Sequence, residues 1–229
     1  MPVSYNENMK KERNILIAML VAATLILTLI DGFLKPDYLL KSVIKIAVFS
    51  ITLFIYIRIF DRKLFFLRFS KKNILTTFAL ALGMYALIIG GYMMLRSFID
   101  FSKVTGKLMD NVKVSKDNFL YVSLYISFIN SFLEEIFYRG FGFLMLRRVM
   151  NHKGAMLISS LCFAIYHCGM LEGWFNIFLY LLMIAGLVIG GIFFCLLDYR
   201  DDHIYHSWLV HMFVNFAINT IGFILFGIL

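Results

Sequence analysis

Proline occurs twice in 229 residues and charged residues make up only 16% of them, against 61% hydrophobic. So little charge leaves no polar shell for a soluble protein of this length. With a mean hydropathy of +0.83, the composition excludes the soluble globular class and indicates a polytopic membrane protein. Cysteine is scarce as well. Cys162, Cys168 and Cys195 are odd in number and sit in or at the ends of apolar runs, which favours small buried hydrophobes over a disulfide framework. A thiol nucleophile at Cys168, next to His167, is the weaker reading, because helical neighbours point about 100° apart. Internal repeats and low-complexity tracts are also lacking.

What is present is a series of long apolar runs. A hydrocarbon core of about 30 Å takes about 20 mostly apolar residues per helix. Runs 14–34, 39–60, 73–95, 118–146, 154–169, 174–197 and 204–229 meet or approach that length. They predict an all-α, polytopic transmembrane helix bundle of seven helices, or eight if 118–146 breaks in two. The 154–169 run is the shortest. The whole chain, 1–229, reads as a single integral membrane domain, with a first helix that is retained rather than removed as a signal peptide, since no small-residue cleavage site follows it.

The net charge of +8 is a matter of sidedness. Lys10, Lys11, Arg13, Arg58, Arg62, Lys63, Arg68, Lys71, Lys72, Arg147, Arg148, Lys153 and Arg200 fall on one side of the predicted bundle. Lys35, Lys41, Arg96, Lys103, Lys107, Lys113 and Lys116 fall on the other. The bias places the N-terminus in the cytoplasm and leaves no case for nucleic acid as a partner; the lipid bilayer is the partner that the composition implies.

The polar segment 96–117 separates a plain half from a loaded one. The first three runs hold almost no ionisable group at their centres; Lys45 is the exception, and it is expected to snorkel towards the interface. The second half carries three motifs. In "SFLEEIFYRG", Glu134, Glu135 and Arg139 lie within six residues, and each central charge costs about 2.5–3.5 kcal/mol on the translocon scale. Glu135 and Arg139 are four apart with the acid first, the better order for a helical ion pair. Glu134, rotated about 100° away, has no equally good local partner. Asn130 and Tyr138 lie four residues either side and can share its face. An unpaired buried carboxylate of this kind suits a general base, while the competing reading is that all three charges only join helices.

In "FAIYHC", Phe163 and His167 are four apart, so the ring can pack beside the imidazole and shield it from water. In "HMFVNFAIN", His211, Asn215 and Asn219 form a stripe at every fourth residue; Asn219 and Asn130 are read as support. Polar groups in membrane helices also serve packing. The helical rise puts Glu134 and His167 each about 20 Å, and His211 about 12 Å, from basic or polar markers on the same side, so the three groups can meet in one cavity. A His-Glu-x-x-His zinc helix and a Gly-x-Ser-x-Gly elbow are both missing.

These residues resemble the CPBP family (CAAX protease and bacteriocin-processing, also called Abi) of intramembrane endopeptidases, whose pattern is EExxxR, FxxxH and HxxxN or HxxxD on successive core helices. Here the motifs read Glu134-Glu135-x-x-x-Arg139, Phe163-x-x-x-His167 and His211-x-x-x-Asn215, and the resemblance covers roughly 118–220 as a catalytic core. It implies hydrolysis of a peptide bond in a membrane-protein or peptide-precursor substrate, with bacteriocin processing among the roles. Glu134 and His167 would activate water, His211 and Asn215 would donate to the oxyanion, and Glu135, Arg139 and Phe163 would support them. The family implies either metal-free glutamate catalysis, the reading preferred here, or zinc, for which Glu134, His167 and His211 would be the ligands. The Ile-, Lys-, Phe- and Asn-rich composition points to a bacterial cell membrane. A second reading, a non-catalytic immunity or scaffold protein that binds a peptide or membrane partner, expects Glu134→Gln to leave function intact. A transporter or proton relay expects two related halves or broken helices, and the sequence shows neither.

Overall fold

The computed structural model describes residues 2–101, 104–107, 109 and 114–229, with side chains from Glu7 onward. Lys103 and Lys113 of the sidedness count lie outside the described residues. Among the described residues, seven helices are long and apolar enough to cross a membrane. We number these α1 (Glu7–Leu34), α2 (Tyr38–Phe60), α3 (Ile74–Leu95), α4 (Phe119–Arg148), α5 (His152–Leu171), α6 (Ile177–Tyr199) and α7 (Tyr205–Leu225). No strand occurs among the described residues. The short 154–169 run gains a turn and reaches 20 residues as α5. The 118–146 run stays one span.

Helix starts follow local chemistry. The side chains of Asp37, Asn151 and Asn176 accept from Leu40 N, Gly154 N and Leu179 N, so α2, α5 and α6 each open on an N-cap that fills one orphan donor. The start of α7 is capped from another helix instead. The fully buried Asp198, at the end of α6, accepts from Ser207 N at 3.0 Å and Ser207 Oγ at 2.6 Å. A carboxylate there also meets the positive end of the helix dipole.

Within hydrocarbon, apolar burial supplies little drive, and packing contacts and polar bonds must hold helices together. The centre is accordingly aromatic: α2 meets α4 where Phe49 stacks on Phe137, with centroids 4.0 Å apart, and Tyr138 lies edge-on to Phe163 of α5 at 5.5 Å. α1 and α5 approach most closely at Gly169, where a Cβ would sit 2.6 Å from the Thr28 carbonyl oxygen; only glycine permits that approach. α3 packs on α7 through Thr77–His206 at 2.8 Å and Tyr85–Thr220 at 3.1 Å.

The two ends of the bundle can be told apart by their ion pairs. Glu12–Arg62, Lys72–Asp201 and Arg147–Asp202 tie the start of α1 and the α2–α3, α4–α5 and α6–α7 connections to one end. Outside the spans, Glu12 raises the already high pKa of Arg62, and Lys72 lowers that of Asp201. Lys41–Asp31 and the Lys116 bond to the Gly227 carbonyl lie at the other end.

α4 is wound in an unusual way. Ile126–Asn130 and Glu135–Met145 are π-helical, with hydrogen bonds that close over five residues and a wider turn, a form associated with functional sites. Donors from α7 reach the first wide segment and the residues that flank it. Asn215 Nδ2 bonds Ile126 O at 3.2 Å, Asn219 Nδ2 bonds Ser123 O at 3.1 Å, and Trp208 Nε1 bonds Ser131 Oγ at 3.1 Å.

Candidate active site

Glu134 and Glu135 stand at the junction between the short α-helical turn Ser131–Glu134 and the second π segment. Their side chains leave α4 in different directions and meet different partners. Glu135 and Arg139 form the expected ion pair, Nε to Oε2 at 3.3 Å, with both side chains fully buried. The pair is a contact of charges rather than an aligned hydrogen bond, and among the described residues the guanidinium nitrogens have no hydrogen-bond acceptor. The guanidinium lies over Phe163, at 4.2 Å from the centroid, and Phe194, at 5.0 Å. A desolvated cation on an aromatic face gains about 2 kcal/mol. Phe163 therefore does more than shield His167: it also seats Arg139.

The other oxygen of Glu135 reaches α7. Its Oε1 lies 2.8 Å from His211 Nδ1, so the Nδ1 proton of His211 is held by a carboxylate and Nε2 is turned the other way. Nε2 is 3.8 Å from Glu134 Oε2. Phe163 and Phe194 pack on the His211 ring, with centroids 6.0 and 5.1 Å away. On α5, His167 Nδ1 lies 2.8 Å from the Phe163 carbonyl oxygen. A carbonyl can only accept, so Nδ1 carries the proton and Nε2 of the neutral ring keeps its lone pair. Phe163 packs on that ring too, at 4.6 Å. Asn215 is buried with its amide on Ile126 O.

Glu134 is not the unpaired carboxylate that its neighbours on α4 suggest. Its Oε1 accepts from Asn130 Nδ2 at 2.7 Å and lies 3.4 Å from Lys45 Nζ of α2. Lys45 is buried and also bonds Asn130 Oδ1. This corrects one expectation: Lys45 does not snorkel, and through it α2, in the plain half of the chain, contributes to the site. Lys45 is offered two oxygens inside the bundle, whereas the interface lies further along its helix. Asn130 shares the face of Glu134 as expected. The Tyr138 hydroxyl makes no hydrogen bond to Glu134; its ring packs on Phe49, Phe163 and Tyr166.

Two further spacings carry no site. Ser42 and Lys45 have the interval of a serine–lysine dyad, but Ser42 Oγ donates to the Tyr38 carbonyl at 2.7 Å while Lys45 turns to Asn130 and Glu134. The Cys168 thiol points back to the Ala164 carbonyl at 3.5 Å. Among the described residues no three His, Cys, Asp or Glu side chains gather closely enough to hold a metal ion. Glu134 Oε1 is bound to an amide and faces an ammonium, which leaves Oε2 as the oxygen turned towards His211 Nε2. Two surface cavities, of about 570 and 660 Å³, lie at opposite ends of the bundle and touch none of these groups.

A carboxylate, two imidazoles and a buried cation, converging from four apolar helices, define an integral membrane protein with an internal acid–base site. A family model described as "Type II CAAX prenyl endopeptidase Rce1-like" matches residues 116–217. That segment holds all three motifs, and over it the chain is similar to this endopeptidase family. No curated protein and no solved structure matches the chain.

Proposed function

We propose that this protein is an intramembrane endopeptidase in which Glu134 activates water, and that the water sits between Glu134 Oε2 and the Nε2 atoms of His211 and His167. The observation that carries the reading is the asymmetry of Glu134. One oxygen is bound by Asn130 and Lys45, and the other faces His211 Nε2 at 3.8 Å with no hydrogen bond between them. That leaves a lone pair free to take a proton.

In this scheme Glu134 removes a proton from water as the oxygen adds to the scissile carbonyl. Protonated on both nitrogens, His211 donates from Nε2 to the oxyanion while Glu135 balances its charge at Nδ1. Asn215 has a second amide hydrogen to offer beside its bond to Ile126 O. Removing one oxyanion donor elsewhere costs about 2.7–4 kcal/mol. The C–N bond then breaks as the proton on Glu134 passes to the leaving amine, with the His167 Nε2 lone pair as the alternative carrier. Arg139 neutralises Glu135 without entering the reaction, and no metal takes part.

The substrate is a membrane-associated protein or a peptide precursor. The family's activity on prenylated CAAX termini supports a C-terminal substrate segment, and the composition supports a bacterial membrane with the Glu12–Arg62 end in the cytoplasm. The test pairs wild type with Glu134→Gln at equal membrane abundance and follows cleavage of an internally quenched farnesylated CAAX peptide. Mass spectrometry of membrane peptides runs beside it, with and without a chelator. Glu134→Gln is expected to lose at least about 10³-fold in rate, the scale of general-base and oxyanion terms, and the chelator to change nothing. An unchanged peptide profile in Glu134→Gln would support the non-catalytic immunity or scaffold reading.

A further inference from the structure

The family match begins at residue 116, yet a charged group from α2, some seventy residues earlier, touches the central carboxylate. Lys45 is buried, its ammonium lies 3.4 Å from Glu134 Oε1, and it bonds Asn130 Oδ1 while Asn130 Nδ2 bonds the same Glu134 oxygen at 2.7 Å. These contacts close a three-membered ring of ammonium, amide and carboxylate across two helices. The ring fixes two otherwise free choices. The amide is locked in one flip state, since its oxygen faces a cation and its nitrogen an anion. The carboxylate is locked in one rotamer, with Oε1 engaged and Oε2 turned towards His211.

We propose that Lys45 is a positioning residue of the proteolytic site: it pins Glu134 Oε1 and so selects Oε2 as the oxygen that receives the proton. The proposal rests on the proteolytic reading above. Every charged or titratable group around the ammonium fits that task. Glu134 and Asn130 face it from α4, and the Tyr166 ring of α5 receives it at 4.9 Å. On its own helix, Lys41 is taken by Asp31 of α1 at 2.8 Å, which leaves Lys45 undivided. His211 lies beyond Glu134, on the side of the free oxygen. Without Lys45, Glu134 keeps only the Asn130 amide, whose flip state is no longer fixed, and its two oxygens become interchangeable. The base is then misplaced in part of the population, and a displacement of about 1 Å can cost about 10²-fold in rate.

The experiment uses the full chain in proteoliposomes with the farnesylated quenched peptide, and compares wild type, Lys45→Met and Glu134→Gln. Lys45→Met is expected to lose about 10²-fold in kcat with KM within about twofold, the signature of a group that acts on the reacting atoms rather than on substrate binding. Lys45→Arg, which keeps the charge, is expected to regain part of the rate. A general loss of packing would move KM and the Tm together and would not respond to charge. Where Lys45→Met fails to reach the membrane, Lys45→Gln serves: it keeps a donor for Asn130 but no charge, and about a tenfold loss of kcat is expected. A second measurement needs no turnover. Labelling with a hydrophobic carbodiimide, followed by mass spectrometry, is expected to modify Glu134 several-fold more in Lys45→Met than in wild type, because the ion pair shields the carboxylate. Wild-type kcat in Lys45→Met or Lys45→Gln beside an inactive Glu134→Gln overturns the proposal alone. Wild-type kcat in Glu134→Gln overturns the proteolytic reading and the proposal with it. Equal labelling overturns the pairing itself.

Discussion

The helices before and after the polar segment 96–117 treat their charges differently. In α1 and α2 a charge is met by a partner outside its own helix, as in Glu12–Arg62, Asp31–Lys41 and Lys45–Glu134. In α4 the partner of Glu135 is on the same helix, four residues on. The cross-helix pairs need the bundle to be assembled, whereas Glu135–Arg139 can form within α4 alone. The first arrangement fixes where helices sit. The second supplies a charge-neutral support on which His211 and Phe163 can be placed. Chemistry is concentrated in the later helices, but its orientation is shared with the earlier ones.

That contrast can be broken most severely at Arg139. Arg139→Met leaves Glu135 buried with only the His211 Nδ1 contact and removes the cation between Phe163 and Phe194, so a loss of about 3–5 kcal/mol is expected. The check is the fraction of protein that remains monodisperse after detergent extraction, and wild-type recovery would contradict the ion-pair account. An intermediate effect belongs to Gly169→Ala, which forces a methyl against the Thr28 carbonyl and pushes α1 from α5 at the His167 end. Overpacking of this kind costs about 1–3 kcal/mol, read as a lower Tm with activity reduced alongside it. The smallest effect is expected at the other kind of pair. The Arg62 side chain is 47% exposed, so Arg62→Gln, screened by solvent, is expected to cost about 1 kcal/mol or less, with kcat unchanged in the peptide assay.

The seven spans were legible because apolar length alone defines them, and the α5 run fell short at its start because the helix opens on the polar His152 and Lys153. Glu135–Arg139 followed from the interval of four, and Phe163 beside His167 likewise. The grip of Glu135 on His211 joins residues 76 apart, and Lys45 meets Glu134 across 89. No periodicity records such distances. One signal was present: a lysine seven residues into a helix, too deep to reach the interface without cost, needs a counter-ion. The wide turns of α4 left no mark in composition.

The separation of 89 positions from Lys45 to Glu134 also sets a waiting time. At a synthesis rate of about 5–20 residues per second, α2 exists for roughly 4 to 18 s before α4 follows it. Lys41 has Asp31 at hand from the start. Lys45 has nothing, and a lone lysine at membrane depth costs about 2.5–3.5 kcal/mol. During biogenesis the residue that orients the finished site is thus a debt carried by an unfinished bundle, discharged when Glu134 arrives.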